Sequence, residues 1–299
     1  MKKVRPKKNL GQHFLTDLGI ARRIADTVDA YPDIPVLEIG PGMGVMTQFL
    51  ITKPRPFKAV EIDEESVEYL NGNFNGNGNC HADDNNNKEN VPVPVNVPVN
   101  SHWLIQGDFL KMDLNEVFEG RQFVLTGNYP YDISSQIFFK MLDNKELIPC
   151  CTGMIQREVA QRIAAKPGNK TYGILSVLIQ AWYDTEYLFT VDETVFNPPP
   201  KVKSAVIRMT RNSRKDIGCD WALFKRVVKA TFNQRRKMLR GSLKQIIPDP
   251  LSLPLPADFL TKRPEQLTHE EFVELTNAVA GATANGNGNV NVNHHADDN

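Results

Sequence analysis

Asn128, Tyr129, Pro130 and Tyr131 place an amide, a proline and two phenols in four consecutive positions, directly after Thr126-Gly127. The amide oxygen and a nearby backbone carbonyl can accept the two N–H donors of an exocyclic amine on a flat base, while Tyr131 stacks on the ring. On its own the tetrapeptide reads first as an ordinary turn, because Asn and Pro are common turn residues. Two acids, Glu61 and Asp108, also fall at the ends of apolar runs. The first is placed to accept from ribose hydroxyls and the second from an adenine amino group, with Phe109 against the purine.

These residues need a scaffold, and the apolar runs supply one. Gln122-Phe123-Val124-Leu125 reads as a buried strand that stops at Gly127-Asn128 and turns at Pro130. Its last side chains are then exposed at a carboxyl sheet edge, where open α/β folds keep ligands. Val36-Leu37-Glu38-Ile39 runs into Gly40-Pro41-Gly42-Met43-Gly44, and a helix is expected from about Val45. The dinucleotide fingerprint needs Gly or Ala where this chain has Val45, so the turn suits a nucleoside-bearing ligand without phosphate. Lys58 to Asp63 and Trp103 to Phe109 read as further strands, and Met154 to Ala160 as a strand turning into a helix. Tyr187 to Val191 and Ser204 to Met209 form a strand pair around Phe196-Asn197-Pro198-Pro199-Pro200-Lys201-Val202. Thr16-Asp17 caps a helix through Ile20, Ile24 and Val28, which leaves Gln12 and His13 as polar points of interest. The alternation predicts an α/β fold with a mostly parallel, helix-flanked sheet.

The remainder reads as helical. Phe224, Val227, Val228 and Phe232 recur at helical spacing, and the helix is expected to continue with Arg236, Arg240 and Lys244 on one cationic face. A last helix, opened by Thr268 and Glu271 in a capping box, runs through Phe272, Leu275 and Val279. From 71 to 101 the chain changes to Asn-Gly alternation and Val-Pro repeats, and residues 281–299 repeat that character. Neither stretch can bury enough apolar surface to order itself, so both are expected to be disordered.

The 299 residues balance 35 Lys and Arg against 35 Asp and Glu, which argues against a general polyanion binder. The distribution is uneven: residues 1–8 hold five basic residues, 199–215 six and 221–248 eight, with no acid in any of the three. Uninterrupted basic runs of this kind suit phosphate tracking, Arg being able to engage oxygens in a bidentate way. Cys80, Cys150, Cys151 and Cys219 fit neither a metal spacing nor a disulfide framework and are expected to be reduced. No apolar run approaches a membrane span, and a cytoplasmic protein is expected.

The motifs Gly-Gln-His-Phe-Leu, Glu-Ile-Gly-Pro-Gly, Val-Glu-Ile-Asp, Gly-Asp-Phe, Gly-Asn-Tyr-Pro-Tyr, Phe-Asn-Pro-Pro-Pro-Lys-Val and Phe-Asn-Gln-Arg-Arg-Lys occur here in one order. Over residues 7–70 and 102–280 the chain closely resembles the ribosomal RNA adenine dimethyltransferases of the KsgA type. The resemblance implies a seven-stranded, Rossmann-like methyltransferase domain at 1–210, carrying the insert 71–101. It implies a helical RNA-binding domain at 211–280 before the tail 281–299. S-adenosylmethionine would be held by His13, Leu15, Gly40, Glu61, Asp108 and Asn128, with no metal. Asn128, the Pro130 carbonyl and Tyr131 would present the target amine, and Arg235, Arg236, Lys237 and Arg240 would contact RNA. The family usually has Asn where this chain has His13 and an aliphatic residue where it has Tyr129, which is expected to face outward.

The implied activity is transfer of methyl groups to N6 of two adjacent adenines in a 3′-terminal hairpin loop of small-subunit rRNA. The implied partner is the immature 30S subunit, met by a monomer. Two alternatives remain: an enzyme of the same chemistry acting on large-subunit RNA, and an assembly factor that binds immature subunits without methylating them.

Overall fold

The computed structural model describes residues 6–7, 12–74 and 102–285. In chain order these form β1 (Phe14–Leu15), α1 (Leu18–Ala25), β2 (Val36–Ile39), α2 (Thr47–Leu50), β3 (Phe57–Glu61), α3 (Glu64–Phe74), β4 (Leu104–Gln106), α4 (Leu114–Val117), β5 (Val124–Gly127) and α5 (Ser134–Asp143). There follow β6 (Cys150–Gln156), α6 (Arg157–Ile163), α7 (Ile174–Gln180), β7 (Tyr183–Val191), β8 (Phe196–Asn197), β9 (Ser204–Arg211), α8 (Trp221–Asn233), α9 (Leu239–Ser242) and α10 (His269–Asn285).

Seven strands make one sheet in the order β4-β3-β2-β5-β6-β9-β7. The pairs from β4 to β6 are parallel, and β9 runs antiparallel to both β6 and β7. The central strands are apolar on both faces, as a sheet covered by helices on each side requires: Val36, Leu37, Val124 and Leu125 are all buried. Asp17 caps α1 by accepting from Ile20 N at 2.9 Å, and Thr268 with Glu271 forms the expected reciprocal box at α10. Such caps contribute about 1 kcal/mol each.

The chain divides into two compact units, Met1–Ala164 with Trp182–Ser213 and Ala165–Ala181 with Arg214–Asn299. The first holds the whole sheet. The second includes α7, which a single cut near residue 210 does not capture, because residues 165–181 leave the first unit and return. Within the second unit Tyr172 meets Phe232 edge-on at 6.1 Å, and Gly168 N donates to Glu265 O at 2.7 Å.

Three further expectations are corrected. The chain is in turns from Gly42 to Met46, so the helix after the glycine-rich turn opens at Thr47 rather than Val45. The expected disorder at 71–101 and 281–299 falls mostly outside the described residues, but Asn71 to Phe74 close α3 and Gly281 to Asn285 close α10. Phe74 explains the first: it is 2 % exposed and packs on Trp103, 5.8 Å between centroids, which outweighs the poor helix propensity of the Asn-Gly-Asn before it. Finally, α8 stops at Asn233 and turns follow to Met238, so Arg236, Arg240 and Lys244 do not share one helix face. The cause is Leu239, fully buried, whose N–H donates to Lys262 O at 2.9 Å and turns the backbone inward.

Cys150 and Cys151 are buried, and neither they nor Cys219 are disulfide-bonded; Cys80 lies outside the described residues. Among the described residues no helix is long and apolar enough to cross a membrane.

Candidate active site

Strand register assembles the site. Ile39 pairs with Val60 of β3 and with Gly127 of β5, and Glu61 pairs with Gln106 of β4. Gly40 and Asn128 therefore leave the sheet side by side, with Glu61 next in the row and Asp108 just beyond β4. The chain runs outward from β2 to β4 and then returns to β5 on the other side of β2. This reversal is the switch point at which open parallel sheets bind ligands.

A cavity of about 260 Å³ opens there, lined by Gln12 to Leu15, the turn at Gly40 to Met43, Glu61 and Ile62, Asp108 and Phe109, and Asn128 to Ile133. All six residues expected to hold the cofactor, and Pro130 and Tyr131 besides, border this one cavity. The described lining carries Glu38, Glu61, Asp108 and Asp132 and no Lys or Arg. With Glu38 held protonated by burial, the remaining acids and the absence of Lys or Arg from the described lining still disfavour phosphate and suit a cation.

Glu61 is 4 % exposed and is held by the backbone around it, accepting from Gly42 N at 3.0 Å and Asp63 N at 2.9 Å. Burial pushes its carboxyl up, and the two backbone bonds restrain that rise. Gly42 has φ +57°, and a Cβ there would come within 3.0 Å of the Phe14 ring, so the turn closes on Glu61 only with glycine. Beside it, Asp63 is paired with Lys7 and accepts from Ser66 Oγ at 2.9 Å. Lys7 N in turn donates to Gln12 Oε1 at 2.9 Å. Asp108 Oδ1 accepts from Leu110 N at 2.9 Å, and Phe109 is buried behind it.

Asn128 is half-buried, and its Nδ2 donates to His13 O at 3.1 Å, which leaves Oδ1 as the acceptor for an incoming amine. The His13 ring stacks on Tyr131, 5.6 Å between centroids, and its Nδ1–H donates to Pro198 O at 2.8 Å. The segment carrying His13 is fixed by pairing of β1 with β8, Leu15 opposite Phe196. His13 thus orients both an amide and an aromatic ring. The Tyr131 hydroxyl pairs with Ser204 Oγ, and Pro130 O accepts from Ile133 N at 3.3 Å, keeping a second lone pair.

Tyr129 corrects the outward placement expected for it. It is 1 % exposed and points beneath the motif, its hydroxyl donating to Thr152 O at 2.9 Å. Glu38 was not singled out in the sequence, although an acid inside the run Val36-Leu37-Glu38-Ile39 breaks the apolar pattern of a doubly covered strand. It is 2 % exposed, borders the cavity and accepts from Thr47 Oγ1 at 2.7 Å. Burial pushes its carboxyl up to about 8, the Thr47 bond opposing and the charge of Glu61 adding to the shift.

Arg235, Arg236, Lys237 and Arg240 lie in the second unit, whereas the basic runs at 1–8 and 199–213 belong to the first. Arg236, Lys237 and Arg240 are exposed, whereas Arg235 is half-buried with its Nε 3.4 Å from Glu265.

The profile of the ribosomal RNA adenine dimethylases matches residues 3–86 and 91–270. A relative in Bacteroides thetaiotaomicron, named ribosomal RNA small subunit methyltransferase A, is 62 % identical over 94 % of this chain and 97 % of its own length. One of the same name in Porphyromonas gingivalis is 53 % identical over 92 % of this chain and 98 % of its own. Among solved structures, a dimethyladenosine transferase from Plasmodium falciparum superposes with TM-score 0.65 at 22 % identity, covering 88 % of this chain and 96 % of that one. A 23S rRNA methyltransferase, ErmE, gives TM-score 0.58 at 22 % identity over 89 % and 99 %. These two likenesses establish the methyltransferase fold, and the family profile together with the bacterial relatives establishes more: the chain belongs to the ribosomal RNA adenine dimethylase family.

Proposed function

We propose that the protein transfers methyl groups from S-adenosylmethionine to N6 of two adjacent adenines in a 3′-terminal hairpin loop of small-subunit rRNA, acting as a monomer in the cytoplasm on the immature 30S subunit. Family membership and the small-subunit names of the bacterial relatives support the substrate. The observation that carries the chemistry is the Asn128 amide, oriented by His13 O so that its oxygen is left for an amine at the mouth of an acid-lined, nucleoside-sized cavity.

The cofactor fits the residues present. Glu61 would hold the ribose, Asp108 the adenine amino group, and the Gly40 turn, Leu15 and His13 the remainder. When bound, S-adenosylmethionine supplies a methyl group on a positively charged sulfur that is already a good leaving group. The chain's own task is to prepare the nucleophile, because the lone pair of an adenine amine is delocalised into the ring. Asn128 Oδ1 and the second lone pair of Pro130 O accept hydrogen bonds from the amine's N–H groups, and the proton that nitrogen loses with each methyl gained passes to water, since neither oxygen is basic enough to keep it. This favours a pyramidal nitrogen with its lone pair directed into the cavity. Tyr131 stacks on the unstacked base, and His13 holds the Tyr131 ring in place. Catalysis is then positioning and electrostatics with no covalent enzyme intermediate. Arg236, Lys237 and Arg240, with Arg235 more constrained, would hold the RNA backbone.

The test is methyl transfer from labelled S-adenosylmethionine to small subunits lacking the modification, with nucleoside mass spectrometry and Asn128→Ala as control. Dimethyladenosine formed only by the parent chain is the expected result. Tight subunit binding without product would make the protein an assembly factor, and labelling of large-subunit RNA instead would reassign the substrate.

A further inference from the structure

Between β5 and β6 the ladder has a gap. Val124 pairs with Cys150 and Leu125 with Cys151, and pairing resumes in the same register only at Asn128 opposite Met154. Thr126 and Gly127 face Thr152 and Gly153 without pairing. Gly153 has φ +146°, a conformation side chains rarely adopt, and a Cβ there would lie 2.3 Å from Gly127 O and 2.8 Å from Tyr129 Cε2. A Cβ on Gly127 would lie 2.7 Å from Ile39 O. Two glycines therefore make a slot, and the Tyr129 ring sits against it, with Phe138 edge-on behind at 5.7 Å.

The hydroxyl completes the join. It donates to Thr152 O at 2.9 Å, inside the stretch that the ladder leaves unpaired, while Tyr129 N donates to Met154 O at 2.9 Å. Cys151 Sγ lies 3.2 Å from the same hydroxyl. Burial pushes the phenol and the thiol both up, so each keeps its proton. The order of donation is then Cys151 S–H to Tyr129 Oη and Tyr129 O–H to Thr152 O. The segment that presents Asn128 and Pro130 is fastened to β6 at two points, one of backbone and one of side chain.

Building on the proposed methyl transfer, we infer that Tyr129 is a positioning residue: seated on Gly127 and Gly153 and tied to Thr152, it fixes where the Asn128 amide and the Pro130 carbonyl meet the target amine. Tyr129 borders the cavity, but its ring points beneath the motif, with its hydroxyl on Thr152 O and away from the groups that meet the amine. A displacement of about 1 Å at a reacting group can cost about a hundredfold in rate, so a tie this close to the amide acts on the chemical step.

The experiment is a cycle of Tyr129→Phe, Asn128→Ala and the double variant, with single-turnover methylation of unmodified small subunits and calorimetric S-adenosylmethionine binding for each. Tyr129→Phe keeps the ring in its slot and removes only the tie. The expected result is a rate about tenfold lower with cofactor affinity within about twofold of the parent, scaled from the cost of a lost buried hydrogen bond. The two losses should be less than multiplicative, because part of what the tie positions, the Asn128 amide, is already gone while the Pro130 carbonyl remains. Multiplicative losses, or a parental rate in Tyr129→Phe, would overturn the inference while leaving the methyltransferase reading intact. A parent chain with no methylating activity would overturn both. Gly153→Ala gives a second handle, since its Cβ would press on both Gly127 O and the ring while leaving the hydroxyl in place: it too should slow transfer and spare cofactor binding, and an undiminished rate would count against the slot.

Discussion

In the proposed function Asn128 and Arg236 are both polar groups offered to RNA, and the chain presents them in opposite ways. Asn128 follows a buried strand, is oriented by His13 O, and is backed by Tyr129, Thr152 and Met154. Arg236 stands exposed in a turn that begins where α8 stops. The first arrangement costs conformational freedom and gains a fixed direction, which a hydrogen-bond acceptor in a transition state needs. The second keeps side-chain freedom and gives up direction, which suits attraction to a phosphate chain. Losses at the sheet edge should therefore be large, local and seen in the rate, and losses in the turn small, cumulative and seen in salt-dependent affinity.

The sharpest break of this comparison is Asn128→Ala, expected to lower the single-turnover rate about 10²- to 10³-fold, as removal of one preorganised polar group does elsewhere, with calorimetric cofactor affinity falling far less than the rate. Glu61→Gln comes next. It should weaken S-adenosylmethionine binding about tenfold, read by calorimetry, while the rate at saturating cofactor stays near the parent value. Neutralising Arg236, Lys237 and Arg240 together should weaken RNA binding and reduce the slope of log K against log salt by about 0.7 to 0.9 for each phosphate that the variant no longer neutralises. An unaltered slope would place the RNA contacts elsewhere. Cofactor affinity should not move in that variant.

The smallest expected effect belongs to Glu38 and tests the cost of a buried acid beside the site. Its carboxyl, raised from 4.5 to about 8 in the folded chain, holds a proton that the unfolded chain has already released. The stabilisation it contributes is full below the unfolded value and is lost as pH rises toward the folded one. Thermal unfolding of the parent relative to Glu38→Gln should therefore fall progressively between about pH 5 and pH 8 and level off above. A constant difference across that range would show that Glu38 is ionised in the folded state.

Local patterns were enough to read the strand ends at Gly40, Glu61, Asp108 and Asn128, because an apolar run stopped by glycine or an acid is a property of a few consecutive residues. The caps at Asp17 and Thr268 were legible for the same reason. Tyr129 goes the other way from its expected placement and Glu38 carries no reading at all, and the reason is physical. An acid in a strand and a tyrosine in a turn each have two destinations, solvent or interior, and neighbouring residues do not choose between them. For Tyr129 the choice was made by Gly153, 24 positions away in sequence on the neighbouring strand β6, where the missing side chain leaves room for the ring.

The same division holds for the molecule as a whole. The sequence by itself determined the class of fold and the strand ends from which the candidate site residues project, since hydrophobic periodicity, turn chemistry and motif order are written along the chain. Only the tertiary structure decided that α8 ends before the basic turn, that His13 orients Asn128, and that Tyr129 faces inward. Each of these depends on a partner distant in sequence: Lys262 O for Leu239, Pro198 O for His13, Thr152 O for Tyr129. A buried polar group must find a partner wherever the fold brings one, and no local pattern records where that will be.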